Sequence, residues 1–186
     1  MPYTHFLLRL AGEALRQRIR PLDGLLCCGH YGTGKGRDAM ESNRATEHMA
    51  NGLVCAESVL LATCEEFGLD IDEKVIPRIA YAFAGGIGNT GSVCGAVAGA
   101  TMAIGLIKDR GETMEEMMSV LGLAAEFRKR FEAEMKTISC RELTGLDLTK
   151  PEDIEGLMTS DVSQKVCFPA VAAAHRIVVE LLRENA

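Results

Sequence analysis

The chain has 186 residues, 47% hydrophobic and 25% charged, with 7 cysteines, 19 glycines and no tryptophan, enough for one compact domain that needs neither bridges nor metals merely to fold. Twenty basic against 26 acidic residues give a net charge of −6 with no Lys/Arg-rich run, which excludes nucleic acid as a partner. The first ten residues lack both a basic stretch ahead of a long apolar run and a small-residue cleavage site, so a cytoplasmic chain is expected.

In chain order, Thr4 can cap a helix whose apolar residues Phe6, Leu7, Leu10, Ala11, Leu15 and Ile19 recur at spacings of three and four, ending before Pro21. A loop from about 21 to 40 carries Cys27, Cys28, His30 and several glycines. Ser42 starts a polar helix through His48 and Met49. Gly52 marks a joint before an apolar helix over 53–67, stopped by Gly68. Asp70 or Asp72 caps a segment with Val75, Ile76, Ile79, Ala80 and Phe83. Ser92 is expected to cap a helix of very small residues reaching about 110. Thr113 and Glu116 form a capping box for a long helix to about Ile138. A loop with Thr149, Pro151 and Asp153 leads through one short turn to a final helix over 168–184. No segment alternates apolar and polar residues as a strand would. The fold class is therefore all-α, an up-and-down helical bundle by the shortness of most connections. One domain over 1–186 is expected, with 20–51 as a loop or arm and 52–184 as the cysteine-bearing bundle.

Three patterns in this chain mislead. Residues 79–107 carry no charge, but the glycine-rich stretch 85–92 breaks them into pieces too short to span a bilayer, so no membrane partner is expected. Gly86-Ile87-Gly88-Asn89-Thr90-Gly91 matches G-x-G-x-x-G, with Asp109 downstream, yet the residues before it have helical spacing and contain Pro77. A dinucleotide site needs a strand there. Gly29 through Lys35 nearly forms a P-loop, but Gly36 stands where the magnesium-binding hydroxyl belongs.

An odd number of cysteines in a reducing compartment argues against a disulfide framework. Cys55 and Cys64 are nine positions apart on one helix, hence on opposite sides, and cannot serve one site. Cys64 reads as a packing or surface thiol. Cys94, Cys140 and Cys167 stand near expected helix starts, where backbone N–H groups and the helix dipole favour a thiolate. Gly91, Gly95 and Gly99 recur every four residues beside Cys94, so backbone approaches something closely, either a packed helix or a cofactor.

Gly52-Leu53-Val54-Cys55-Ala56-Glu57-Ser58, Gly85-Gly86-Ile87-Gly88 through Val93-Cys94-Gly95-Ala96-Val97-Ala98-Gly99, Ser139-Cys140-Arg141-Glu142-Leu143-Thr144-Gly145 and Cys167 together resemble the redox-active proteins named for the pattern C-GCAxxG-C-C. The resemblance covers roughly 42–184. Around Cys94 the chain reads Cys-Gly-Ala-Val-Ala-Gly, offset from the family's Gly-Cys-Ala-x-x-Gly. The resemblance implies four functional cysteines, Cys55, Cys94, Cys140 and Cys167, and Gly95, next to Cys94 in the small-residue pattern, is the glycine expected to leave room for a cofactor. A similar domain in split-Soret cytochromes c is associated with an iron-sulfur cluster beside covalent haems. Here Cys27-Cys28-Gly29-His30 is not C-x-x-C-H, so no c-type haem is expected.

Three chemistries suit four dispersed thiols. Structural zinc is disfavoured by the lack of C-x-x-C pairs, and so is a dithiol oxidoreductase. An iron-sulfur cluster accepts dispersed cysteines that the bundle brings together, and electron transfer or redox sensing is the first choice. Thiol-disulfide exchange or a zinc-binding structural module are the alternatives. The electron-transfer partner is not legible. A homodimer is expected, because the polar 20–51 region suits an arm lying on a second subunit.

Overall fold

The computed structural model describes residues 43–72 and 74–186, all in one compact unit. The helix expected from Thr4, the loop at 21–40, the near P-loop at Gly29–Lys35, and Cys27, Cys28 and His30 lie outside the described residues. Those described are helical, without a named strand. The helices are α1 (Arg44–Ala50), α2 (Cys55–Glu66), α3 (Val75–Ala80), α4 (Gly95–Lys108), α5 (Met114–Met135), α6 (Cys140–Thr144), α7 (Pro151–Thr159) and α8 (Phe168–Glu184). The all-α expectation holds. No helix among the described residues is long and apolar enough to cross a membrane.

Four helices make the core. α2 is buried over its whole middle, Ala56 through Cys64, and packs on both α4 and α8. A helix apolar all round must be covered all round. It starts where the Glu57 carboxylate reaches back to accept a hydrogen bond from the Val54 N–H at 2.8 Å. α4 approaches α2 so closely that a Cβ on Gly99 would lie 2.4 Å from the Ala56 carbonyl oxygen. α5 contributes Phe127 and Phe131, both fully buried with ring centroids 6.1 Å apart. α8 buries Val171, Ala174, Val178 and Leu181 at helical spacing against α2, α4 and α5. Burying a valine, leucine or phenylalanine side chain contributes about 1.5–3 kcal/mol.

The ends of these elements show which local signals prevailed. The Thr113 hydroxyl accepts from the Glu116 N–H at 3.2 Å, and the Glu116 carboxylate accepts from the Thr113 N–H at 2.9 Å, as the capping box predicts. α5 stops at Met135 rather than near Ile138, because Lys136 takes a left-handed conformation at φ 74°. Asn43, not Ser42, caps α1. Ser92 does not cap α4. Its carbonyl accepts from Cys140 and its N–H donates to Gly86, and Cys94 occupies the capping position instead. The short turn expected after Pro151 is the nine-residue helix α7, with Pro151 at its first turn.

Within the 20–51 region, α1 packs on α2 and α8 of its own chain. The Asn43 side-chain amide donates to the Ala172 carbonyl at 3.0 Å, and Arg44 and His48 both reach Glu65, at 2.7 and 2.9 Å. His48 is thus paired with Glu65. It belongs to the far end of α2.

His175 lies in the middle of α8 with its Nε2 buried and without a hydrogen-bond partner. Burial lowers its pKa below the usual histidine value, with His48 and Arg183 acting the same way and the Ala62 carbonyl and Glu66 opposing. The folded state therefore binds fewer protons at His175 than the unfolded chain. Its contribution is intact above the unfolded pKa of about 6.5 and declines as pH falls below that value. Urea midpoints should drop between pH 7.5 and 5.5, above the range where ordinary carboxylates titrate. His175→Leu should flatten that part of the profile, and an unchanged profile in the variant would assign the effect elsewhere.

Candidate functional site

The sequence between α3 and α4 builds an unusual turn. Gly85, Gly86, Ile87, Gly88 and Asn89 are all left-handed, with φ from 59° to 73°. Glycine tolerates that region without a Cβ clash, whereas a β-branched residue such as Ile87 does not. Gly86 is required for a second reason: a Cβ there would lie 2.7 Å from the Cys140 Cβ and 2.7 Å from the Ser92 nitrogen. Helical backbone precedes this turn at Val75–Phe83, so the strand needed by a dinucleotide site is absent.

Beyond the turn the chain runs briefly extended and pairs with the segment after α5. Val93 and Ser139 form an isolated antiparallel bridge. The Cys94 N–H donates to the Ile138 carbonyl and the Cys140 N–H to the Ser92 carbonyl, both at 2.7 Å. This two-residue ladder places Cys94 and Cys140 on neighbouring backbones, although they are 46 positions apart in the chain. Cys140 then opens α6, whose cap is the Ser139 hydroxyl accepting from the Glu142 N–H at 3.3 Å.

Cys55 opens α2 and faces α4. A Cβ on Gly95 would fall 2.4 Å from the Cys55 sulfur and 3.0 Å from the Phe83 carbonyl oxygen. Gly95 thus leaves room for a sulfur rather than for a helix. Cys167 closes a π turn, Ser163–Cys167, in which the Phe168 N–H donates to the Ser163 carbonyl five residues back. That turn packs against α6, the helix that begins with Cys140. Cys167 is therefore not at the mouth of a helix, as its place before Pro169 suggests, but inside a continuous helical run from Val162. Proline lacks the N–H that regular α-helical bonding would use, and the widened turn accommodates the loss.

The four thiols act on one another. Burial raises the Cys55 pKa most, and Cys94, Cys167 and Cys140 raise it further. Cys167 is pushed up to about 12 by burial and then by Cys94 and Cys140, and Cys140 to about 11 by burial and then Cys94. Burial also raises Cys94, even though the backbone N–H groups of Ala96 and Val97 favour its thiolate. The thiolate expected from the helix starts is present as a local pull at Cys94 and is outweighed by burial. At neutral pH these groups are thiols until a positively charged partner offsets the burial.

Cys64 is fully buried with Leu60, Leu61, Ile76, Ala80 and Ala103, in a cluster that none of the four shares. It is a packing thiol. All five described cysteines are free. Among the described residues, no group of three or more His, Cys, Asp or Glu side chains is drawn together to hold a metal ion as it stands. A single tetrahedral ion with bonds of about 2.3 Å needs its four sulfurs within about 4 Å of one another. The donor chemistry nevertheless fits a soft metal group. Cys94 and Cys140 are buried and Cys55 and Cys167 half-buried, and Gly95 leaves open the space a Cβ would fill.

The π turn and the structural demand on Gly86 are not visible from spacing alone. The signals that could have found them are Pro169 two positions after Cys167 and the adjacent pair Gly85-Gly86.

A family model described as "Putative redox-active protein (C_GCAxxG_C_C)" matches residues 53–181. No curated protein and no solved structure matches the chain.

Proposed function

The chain belongs to the C_GCAxxG_C_C family, and from that premise we propose that Cys55, Cys94, Cys140 and Cys167 hold an iron-sulfur cluster used for electron transfer or redox sensing. The observation that carries this reading is the family match together with the backbone pairing that sets Cys94 beside Cys140 and the space that Gly95 leaves against the Cys55 sulfur. The four cysteines include no C-x-x-C pair, which disfavours a zinc ribbon. An iron-sulfur cluster accepts cysteines set further apart, because its own sulfides fill the interior.

When bound, such a cluster takes up and releases single electrons over a range of potentials set by its surroundings. The chain's part is to hold and shield it. Cys94 and Cys140 are placed by the Val93–Ser139 ladder, Cys55 by the start of α2, and Cys167 by the π turn. Gly95 and Gly86 keep side chains out of the space between them. Burial lowers the local dielectric, which disfavours added negative charge unless the metal compensates it. Five free thiols accord with a reducing, cytoplasmic setting.

A second reading, thiol-disulfide exchange, draws on the ladder that sets Cys94 beside Cys140. The two readings separate on purification without oxygen, followed by iron, zinc and acid-labile sulfide analysis. Iron with sulfide in comparable amounts supports the cluster. Zinc without sulfide, or a metal-free chain that takes up no iron and sulfide on reconstitution, overturns it.

A further inference from the structure

α6 opens with Cys140 and Arg141, and two glycines of the preceding turn make room for one side chain each. A Cβ on Gly86 would fall 2.7 Å from the Cys140 Cβ, and one on Gly91 would fall 2.9 Å from the Arg141 Cβ and 3.0 Å from its Nε. Arg141 therefore lies against the backbone that leads on to Ser92 and Cys94. Its main-chain N–H donates to the Gly91 carbonyl at 3.0 Å. Its guanidinium donates to the Asp147 carboxylate at 2.6 Å and to the Thr90 carbonyl at 3.4 Å. The Thr149 hydroxyl holds the same carboxylate at 2.7 Å.

A clamp between the turn and α6 needs only these hydrogen bonds, but Arg141 also places a permanent positive charge beside the site. It is the one cationic side chain next in sequence to any of the four cysteines. Covalent geometry keeps its Nε within about 9 Å of the Cys140 Cα, a distance comparable with the screening length of about 8–10 Å at ordinary salt. The other charges close by are occupied. Glu142 accepts from the Thr137 hydroxyl, and Lys165 of the π turn is paired with Asp161.

We propose that Arg141 tunes the reduction potential of the group held by Cys55, Cys94, Cys140 and Cys167, keeping it higher than the cysteines alone would set it. The inference rests on the cluster reading above. One-electron reduction adds one negative charge to a cluster and need break no bond, and net charge near the cluster is one of the terms that set its potential. A guanidinium held in place favours the reduced form, and the Asp147 carboxylate opposes it.

Redox titration of the full chain, loaded with iron and sulfide without oxygen and reduced by dithionite, tests this. Arg141→Gln should keep its iron and lower the equilibrium constant for reduction about threefold or more. Asp147→Asn should raise that constant, and Arg141→Lys, which keeps the charge, should remain near the unmodified value. The ion pair is exposed and weak, so the metal-free variants should share the thermal midpoint of the metal-free unmodified chain. Arg183, paired with Glu66 at the end of α2 away from Cys55, supplies the control. Arg183→Gln removes the same charge and should leave the potential unchanged. If Arg141 were only a clamp, breaking it from either side would move the potential the same way. That result, an unchanged potential in Arg141→Gln, an equal shift in Arg183→Gln, or loss of iron from Arg141→Gln would overturn the proposal while leaving the cluster reading intact. An unmodified chain that takes up no iron and sulfide would overturn both.

Discussion

Cys94→Ser should fold normally and lose its iron. Serine is among the preferred residues at a helix N-cap, and Cys94 holds that position at the start of α4. The substitution therefore removes a ligand while keeping, or improving, the local structure. Changes to groups that merely orient a metal ligand typically cost 10- to 100-fold in metal affinity. Loss of a ligand should cost no less. Iron and sulfide per folded chain should fall at least tenfold, with the thermal midpoint of the metal-free variant equal to or above that of the metal-free unmodified chain. Cys64→Ser is the converse control. Its side chain is fully buried in an apolar cluster, so an introduced hydroxyl without a partner costs about 1–3 kcal/mol. Iron per folded molecule should stay at the unmodified level. Equal iron in the two variants would show that Cys94 is not a ligand.

The glycines of α4 should separate site from scaffold along a single helix. In Gly95→Ala the new methyl meets the Cys55 sulfur at 2.4 Å, displacing one of the four thiols. In Gly99→Ala it meets the Ala56 carbonyl oxygen at 2.4 Å, with the Ala56 carbonyl carbon and Cα close behind. A short side chain can turn aside, whereas backbone cannot move without parting α2 from α4. Gly99→Ala should therefore cost about 1–3 kcal/mol of stability, in the range of overpacked cores. Gly95→Ala should cost less stability and more iron. At Gly105 the added methyl meets nothing, and Gly105→Ala should stabilise the helix by up to about 1 kcal/mol with full iron content. If loading followed stability across the three variants, Gly95 would be a packing residue only.

Much of this arrangement is legible in the sequence, for identifiable reasons. The Thr113/Glu116 box and the apolar periodicity of 168–184 are local signals, and the structure contains both elements where local chemistry puts them. The position of Cys64 followed from helical phase alone. What failed depended on distant partners. Ser92 is a good cap by its side chain, but its backbone is committed to Gly86 and Cys140, and the helix starts three residues later. Cys167 looked like a helix start because proline followed, whereas the chain absorbed Pro169 in a π turn. The thiolate tendency of Cys94 follows from its backbone donors, and the burial that opposes it in the core is a property of the assembled fold.

The central claim is that four cysteines from separate segments jointly hold iron and sulfide. Iron-edge X-ray absorption on the anaerobically purified full chain tests it most directly. The account predicts a first shell of about four sulfurs per iron at about 2.3 Å, the distance usual for metal–thiolate bonds, together with a second shell of neighbouring iron. A first shell containing nitrogen or oxygen donors, or sulfur donors with no iron beyond them, would contradict it.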